Sequence, residues 1–146
     1  MTAGGMLRER YRVMQADRCN DARRDAVPVV CVVDDDVSLL RALHRLLNAG
    51  GFAVSTFSSA EEFLQAPRHC DVACLVLDVH LGGVSGFDLH ERLVASGQRI
   101  PVLFITARDD APTRERARLA GAIDYLRKPF DGESLLAAVH KAIEQS

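Results

Sequence analysis

Charge of one sign is what this sequence most plainly lacks. Its 146 residues carry 18 basic and 20 acidic side chains, a net charge of −2, so bulk electrostatics offers no hold on nucleic acid or an anionic membrane. Long apolar runs are lacking too. None approaches the ~20 residues that cross a bilayer, and the N-terminus has no apolar signal core, so a cytoplasmic location is expected. Neither phosphate-cradling pattern, G-x-G-x-x-G or G-x-x-x-x-G-K-[ST], occurs, which argues against a nucleotide-binding module. Cysteine is sparse: Cys19, Cys31, Cys70 and Cys74. Cys70 and Cys74 are four apart, which fits no common zinc spacing, and no second ligand pair follows. Cys31 and Cys74 lie within apolar runs, where a thiol behaves as a small hydrophobe, and reduced structural thiols are expected. There is no internal repeat and no low-complexity tract.

What is present is a regular alternation beginning at Pro28. Residues 1–27 are polar, with six arginines against four acids. Leu7, Tyr11 and Met14 make only a weak stripe, so a flexible extension is expected there and one domain over 28–146. Val29–Val33, Cys74–Leu77 and Val102–Ile105 are continuous β-rich apolar runs, the pattern of parallel strands covered on both faces. Phe52–Phe57 and Ile123–Leu126 read as two further strands. Leu39, Leu40, Leu43, Leu46 and Leu47 mark one helix face, stopped at Gly50–Gly51. Ser58-Ser59-Ala60-Glu61 reads as a capping box opening a second helix, with Phe63 and Leu64 inward. Phe87, Leu89, Leu93 and Val94 mark a third helix closed by Gly97. Pro112 suits the first turn of a fourth ending at Gly121, and Ser134–Glu144 is a terminal amphipathic helix. Five strands alternating with five helices predict a doubly wound parallel sheet.

In such a fold the site forms at the carboxyl ends of the strands, where strand order reverses. The first strand ends in Asp34-Asp35-Asp36, the third in Asp78 and the fourth in Thr106, and the fifth runs into Lys128-Pro129. Any one of these has an ordinary structural use, such as an aspartate capping the next helix. Their arrival together at successive strand ends is what points to chemistry.

Those residues carry a family resemblance. Val-Val-Asp34-Asp35-Asp36, Leu-Val-Leu-Asp78, Phe-Ile-Thr106-Ala107 and Asp-Tyr125-Leu-Arg-Lys128-Pro129-Phe130, at intervals of 44, 28 and 22 residues from Asp34 to Lys128, resemble the response regulator receiver domain of two-component signalling. Phe57-Ser58-Ser59-Ala60-Glu61-Glu62-Phe63 further resembles receivers of the LuxR-type subclass. The resemblance implies sheet order 2-1-3-4-5, as in the chemotaxis regulators. It implies that Asp78 accepts a phosphoryl group from a sensor histidine kinase or phosphotransfer protein, with Asp34, Asp35, Asp78 and the His80 backbone carbonyl as ligands of Mg²⁺. Thr106 and Lys128 would complete the chemistry, Thr106 and Tyr125 would act as the switch, and the Lys128–Pro129 bond would be cis.

The chemistry of these residues agrees with that assignment. Three close carboxylates repel, so a divalent cation stabilises the ionised site. All-oxygen ligands suit Mg²⁺. Asp78 is then a nucleophile giving an aspartyl phosphate, and Lys128 balances charge on the phosphoryl oxygens. The resemblance further implies that Thr106 turns to the phosphoryl group and vacates space for Tyr125. The expected role is a stand-alone receiver that switches an unknown downstream protein. It is expected to be no enzyme beyond self-phosphorylation and autodephosphorylation, and to make no direct contact with nucleic acid or membrane. Phosphorylation-dependent homodimerisation through helix four, strand five and helix five is open to it. Three positions depart from the family or tune it: Gly82 stands where proline is usual, loosening that loop, and His80 and Arg108 lie two residues beyond Asp78 and Thr106, where phosphate lifetime is set. Arg114, Arg116 and Arg118 read as a solvated face on a thinly packed fourth helix. The strongest rival is a haloacid-dehalogenase-like phosphatase using Asp34 as nucleophile and Asp36 as acid/base. It lacks the acidic pair that should follow the lysine.

Overall fold

The protein is described here from a computed structural model covering residues 27–66 and 71–145. The elements are β1 (Val29–Val33), α1 (Val37–Ala49), β2 (Ala53–Phe57), α2 (Ala60–Gln65), β3 (Val72–Asp78), α3 (Gly86–Ala95), β4 (Val102–Thr106), α4 (Ala111–Leu119), β5 (Asp124–Arg127) and α5 (Gly132–Glu144). All strand pairs are parallel and the order is β2-β1-β3-β4-β5. Strand alternation sorts the core into two layers. Val30 and Val32 of β1 face α1 and α5, packing with Leu40, Leu43, Leu47, Leu135 and Val139. Cys31 and Val33 face the other side, with Phe63 of α2, Phe87 and Leu93 of α3 and Ala117 of α4. β3 and β4, central to the order, are buried along their whole length, whereas β2 and β5 at the edges are only part-buried.

The register places the site. Val33 pairs with Leu77, so Asp34 and Asp78 are the next residues of adjacent strands. Asp78 pairs with Ile105 and Thr106 with Arg127, so Thr106 and Lys128 reach the same rim. Backbone bonds carry the ladders one step further: Asp34 N–H donates to the Phe57 carbonyl at 3.1 Å and Lys128 N–H to the Thr106 carbonyl at 2.7 Å.

Several local expectations shift. The strands at 53, 72 and 124 start or end one to two residues from the apolar runs, because backbone pairing and not apolarity sets their limits. At α2 the cap is Ser59, whose hydroxyl accepts from Glu62 N–H at 3.1 Å, one residue later than the Ser58–Glu61 reading. Glu62 reaches back to Ser58, accepting from its N–H at 2.9 Å and its hydroxyl at 3.0 Å. Val94 is no core residue: it is 58% exposed. Gly51, Gly97 and Gly121, the expected helix stops, all have φ between 80° and 96°, a region open to glycine at little cost. Cys31 and Cys74 are buried and unpaired, with thiols pushed up to about 12 by burial, which keeps them protonated. Cys19, Cys70 and the expected N-terminal extension, apart from Val27, lie outside the described residues.

Candidate functional site

The rim residues meet as the strand register requires. Lys128, from the end of β5, places its Nζ 2.6 Å from Asp34 Oδ2 and 3.4 Å from Asp78 Oδ2. Asp34 and Asp78 are 0% and 4% exposed. Asp34 Oδ1 also accepts from Asp36 N–H at 2.9 Å, and Asp78 Oδ1 from His80 N–H at 3.2 Å, so each buried carboxylate keeps hydrogen-bond donors on both oxygens. Asp35 is exposed at the mouth. One carboxylate oxygen from each of Asp34, Asp35 and Asp78 lies within 4.8 Å of the others, and three hard anionic oxygens at that spacing fit a small divalent cation such as Mg²⁺.

The electrostatics of Asp78 follow from that crowding. Burial first, and then the charge of Asp34, push its carboxyl up from 3.8 to about 6, against the opposing pull of Lys128 and the His80 N–H. For Lys128, burial alone would favour the neutral amine. The hydrogen bond to Asp34 and the fields of Asp78 and Asp34 outweigh it, and the ammonium is held above its ordinary value. The pocket is thus built around a cation that partly neutralises two acids and leaves a third at the entrance.

Asp36 stands apart. Its side chain caps α1, accepting from Leu39 N–H at 3.2 Å, and it is exposed, so the acid/base of the rival phosphatase reading is turned to a structural task. Thr106 is fully buried, and its hydroxyl is engaged with the backbone of Arg108: it donates to the carbonyl at 3.2 Å and accepts from the N–H at 3.1 Å. The Tyr125 hydroxyl approaches the same carbonyl at 3.5 Å. The two expected switch residues therefore converge on one backbone oxygen. His80 contributes its N–H to Asp78, and Gly82, two residues on, has φ +83°, which proline cannot adopt. The Lys128–Pro129 peptide is cis, as the resemblance implies.

Three features were not read from the sequence. Gly86 opens α3 against the site: a Cβ there would lie 2.2 Å from the Asp78 carbonyl oxygen, and Gly86 N–H donates to the Val79 carbonyl at 2.8 Å. The signal was present in Ser85-Gly86-Phe87-Asp88, a capping box formed by Ser85 and Asp88 with glycine at its first helical position. The Arg108 backbone left no signal, since a carbonyl is common to every residue. Arg116 is not simply solvated: its guanidinium lies 4.7 Å over the Phe87 ring and 3.5 Å and 3.7 Å from Glu91 and Asp88 of α3.

Comparison with known proteins agrees with this geometry. The family model for the response regulator receiver domain matches residues 30–140. Nodulation protein W of Bradyrhizobium diazoefficiens is 44% identical over 117 residues, 80% of this chain and 52% of that protein. Response regulator protein TmoT of Ectopseudomonas mendocina is 40% identical over 120 residues, 82% of this chain and 54% of that protein. The low-resolution structure of response regulator StyR superposes with a TM-score of 0.74 at 44% identity, covering 82% of this chain and 61% of that one. FixJ-type transcriptional regulators are among the relatives as well, in line with the LuxR-type likeness. The chain spans about half the length of the curated relatives it matches, so this kinship does not carry the stand-alone expectation. By motif, fold and relatives, the chain belongs to the response regulator receiver family, the phosphoryl-accepting signalling domains of two-component systems.

Proposed function

We propose that residues 28–146 form a receiver in which Asp78 accepts a phosphoryl group from a sensor histidine kinase or a phosphotransfer protein and thereby switches the binding of a downstream protein. The observation that carries the proposal is the ammonium of Lys128 held between the buried carboxylates of Asp34 and Asp78, with Asp35 completing a three-oxygen cluster. Asp34, Asp35, Asp78 and the carbonyl of His80 are the groups that would hold Mg²⁺. When bound, the ion supplies charge neutralisation for the incoming phosphoryl oxygens.

The remaining work belongs to this chain. An Asp78 oxygen forms the new O–P bond as the P–N bond to the donor imidazole breaks, and that bond pair leaves with the imidazole. Lys128 faces the developing negative charge. Ala107, with its small side chain, leaves space beside the acceptor. The added charge of roughly −1.5 to −2 then gives the Thr106 hydroxyl a stronger acceptor than the Arg108 carbonyl, and Tyr125 follows. Loss of the phosphoryl group to water on Asp78 itself resets the domain. The reaction is single-turnover signalling and needs no further catalytic machinery. A cytoplasmic setting suits phosphoryl transfer from such a donor; among the described residues no helix is long and apolar enough to cross a membrane. Homodimerisation after phosphorylation would use the α4, β5 and α5 face, and light scattering with and without a phosphoryl mimic reads it.

Mass spectrometry after treatment with acetyl phosphate and Mg²⁺ tests the assignment. A hydroxylamine-labile adduct of one phosphoryl group is expected on the wild-type chain, absent when Mg²⁺ is chelated and absent in Asp78→Asn. An adduct that persists in Asp78→Asn would place the acceptor elsewhere.

A further inference from the structure

The turn between β4 and α4 makes side-chain contacts at three successive residues. The Arg108 carbonyl receives both Thr106 Oγ1 and the Tyr125 hydroxyl. The next residue, Asp109, holds Arg114 of α4 through Nε–Oδ1 at 3.0 Å, with the acid side chain 24% exposed. Asp109 also lies near the Tyr125 phenol, where its charge opposes ionisation of the hydroxyl. One residue further, Asp110 caps α4 by accepting from Thr113 N–H at 2.8 Å. A single backbone oxygen with two lone pairs is thus shared by two hydroxyls, on a turn anchored to α4 from the adjacent side chain.

We infer that Asp109 and Arg114 form a positioning clamp that fixes the Arg108 carbonyl as the common rest for Thr106 and Tyr125, and so converts a movement of Thr106 into a movement of Tyr125. The inference rests on the switch reading above and goes beyond it by assigning the coupling to two residues outside the active site. Thr106 must release the carbonyl to donate to a phosphoryl oxygen. With the turn held in place, the freed lone pair stays where it is, and the Tyr125 hydroxyl, now at a long 3.5 Å, can close on it. With the turn unanchored, the carbonyl can follow Thr106 or turn to water, and Tyr125 receives no instruction. Neither clamp residue touches Asp34, Asp78 or Lys128 in any of the described contacts, so the chemistry at Asp78 is left intact while its readout is cut.

The test uses the full chain carrying 3-fluorotyrosine, with the Tyr125 resonance assigned by its loss in Tyr125→Phe, and beryllofluoride with Mg²⁺ as the phosphoryl mimic. Amide signals of Asp78 and Val79 report binding of the mimic, and the fluorine shift reports the switch. Wild type should show both changes. Asp109→Asn and Arg114→Gln should keep the amide changes and lose about half or more of the fluorine response, and Arg114→Lys, which retains the cation, should restore most of it. Amide signals in the wild type that ignore the mimic would sink the receiver reading and the clamp with it. A fluorine response retained in full by both Asp109→Asn and Arg114→Gln would overturn the clamp alone.

Discussion

Asp78 illustrates how one buried side chain sets a pH dependence. Its carboxyl stands at about 6 in the folded chain against an ordinary 3.8, the reverse of the usual salt-bridged acid. Below pH ~4 it is protonated both folded and unfolded and contributes nothing. Between about 4 and 6 the folded state binds the extra proton, so stability falls as pH rises, and above about 6 the full cost of burying the charge remains, of order 3 kcal/mol. Asp78→Asn, in metal-free buffer, should therefore raise stability at pH 7 by roughly 1–3 kcal/mol, and the gain should vanish near pH 4. Urea unfolding of the two proteins across that range measures it; a gain that grows on acidification would contradict the burial of Asp78 as described. At Gly86 the cost is steric. A methyl group 2.2 Å from the Asp78 carbonyl oxygen forces backbone to move, and Gly86→Ala should lose about 2 kcal/mol or more while slowing acetyl phosphate labelling of Asp78.

Among elements, α4 is the one that packing supports least. Only Ala117 is buried in it, and Leu119 is 71% exposed, whereas α1 and α5 bury three and four residues. Its ties are polar: the Asp110 cap, the Asp109–Arg114 pair, the Arg116 bridge to α3 and the Arg118–Glu115 pair. Exposed pairs of this kind contribute about 0–1 kcal/mol each, so α4 should open locally before the rest. Hydrogen exchange is expected to show Ala111–Leu119 exchanging well ahead of α1 and α5. Asp110→Ala should widen that gap by roughly 1 kcal/mol of local opening; equal protection of α4 and α5 would refute the ranking. Much of this was legible in the chain. The leucine stripe of α1 and the glycine stops of three helices read correctly because period and left-handed glycine are local properties. The α2 cap was misplaced by one residue because two serines in succession offer two equivalent hydroxyls, and only the path of the chain into the helix decides which becomes the cap. Val94 continues the apolar stripe of α3 yet stays exposed, because Arg116 and Leu119 of α4 leave an open groove beside it.

Across the whole molecule the acidic rim, and not the hydrophobic core, couples stability to ligand. A cation bound only by the folded chain stabilises by about 2.7 kcal/mol at a hundred times its dissociation constant. Mg²⁺ should raise the melting temperature at pH 7.5 and do so less as pH falls through about 6, where Asp78 takes up a proton and ceases to be a ligand. Thermal melts with Mg²⁺ and with chelator at pH 7.5 and 5 make the comparison. An unchanged increment at the two values would remove Asp78 from the ligand set.

The amino-acid order alone determined the alternation of strands and helices, the glycine stops, and the four residues at successive strand ends, since these depend on periodicity and on neighbours along the chain. The tertiary structure decided what the ends of those strands do to one another. Parallel register puts Asp34 beside Asp78 and brings Lys128 back between them. Close packing requires Gly86 to lack a side chain, and the Arg108 carbonyl becomes the meeting point of Thr106 and Tyr125. Such relations join groups up to 94 residues apart in the chain, and they are set by pairing geometry and desolvation that no local pattern encodes.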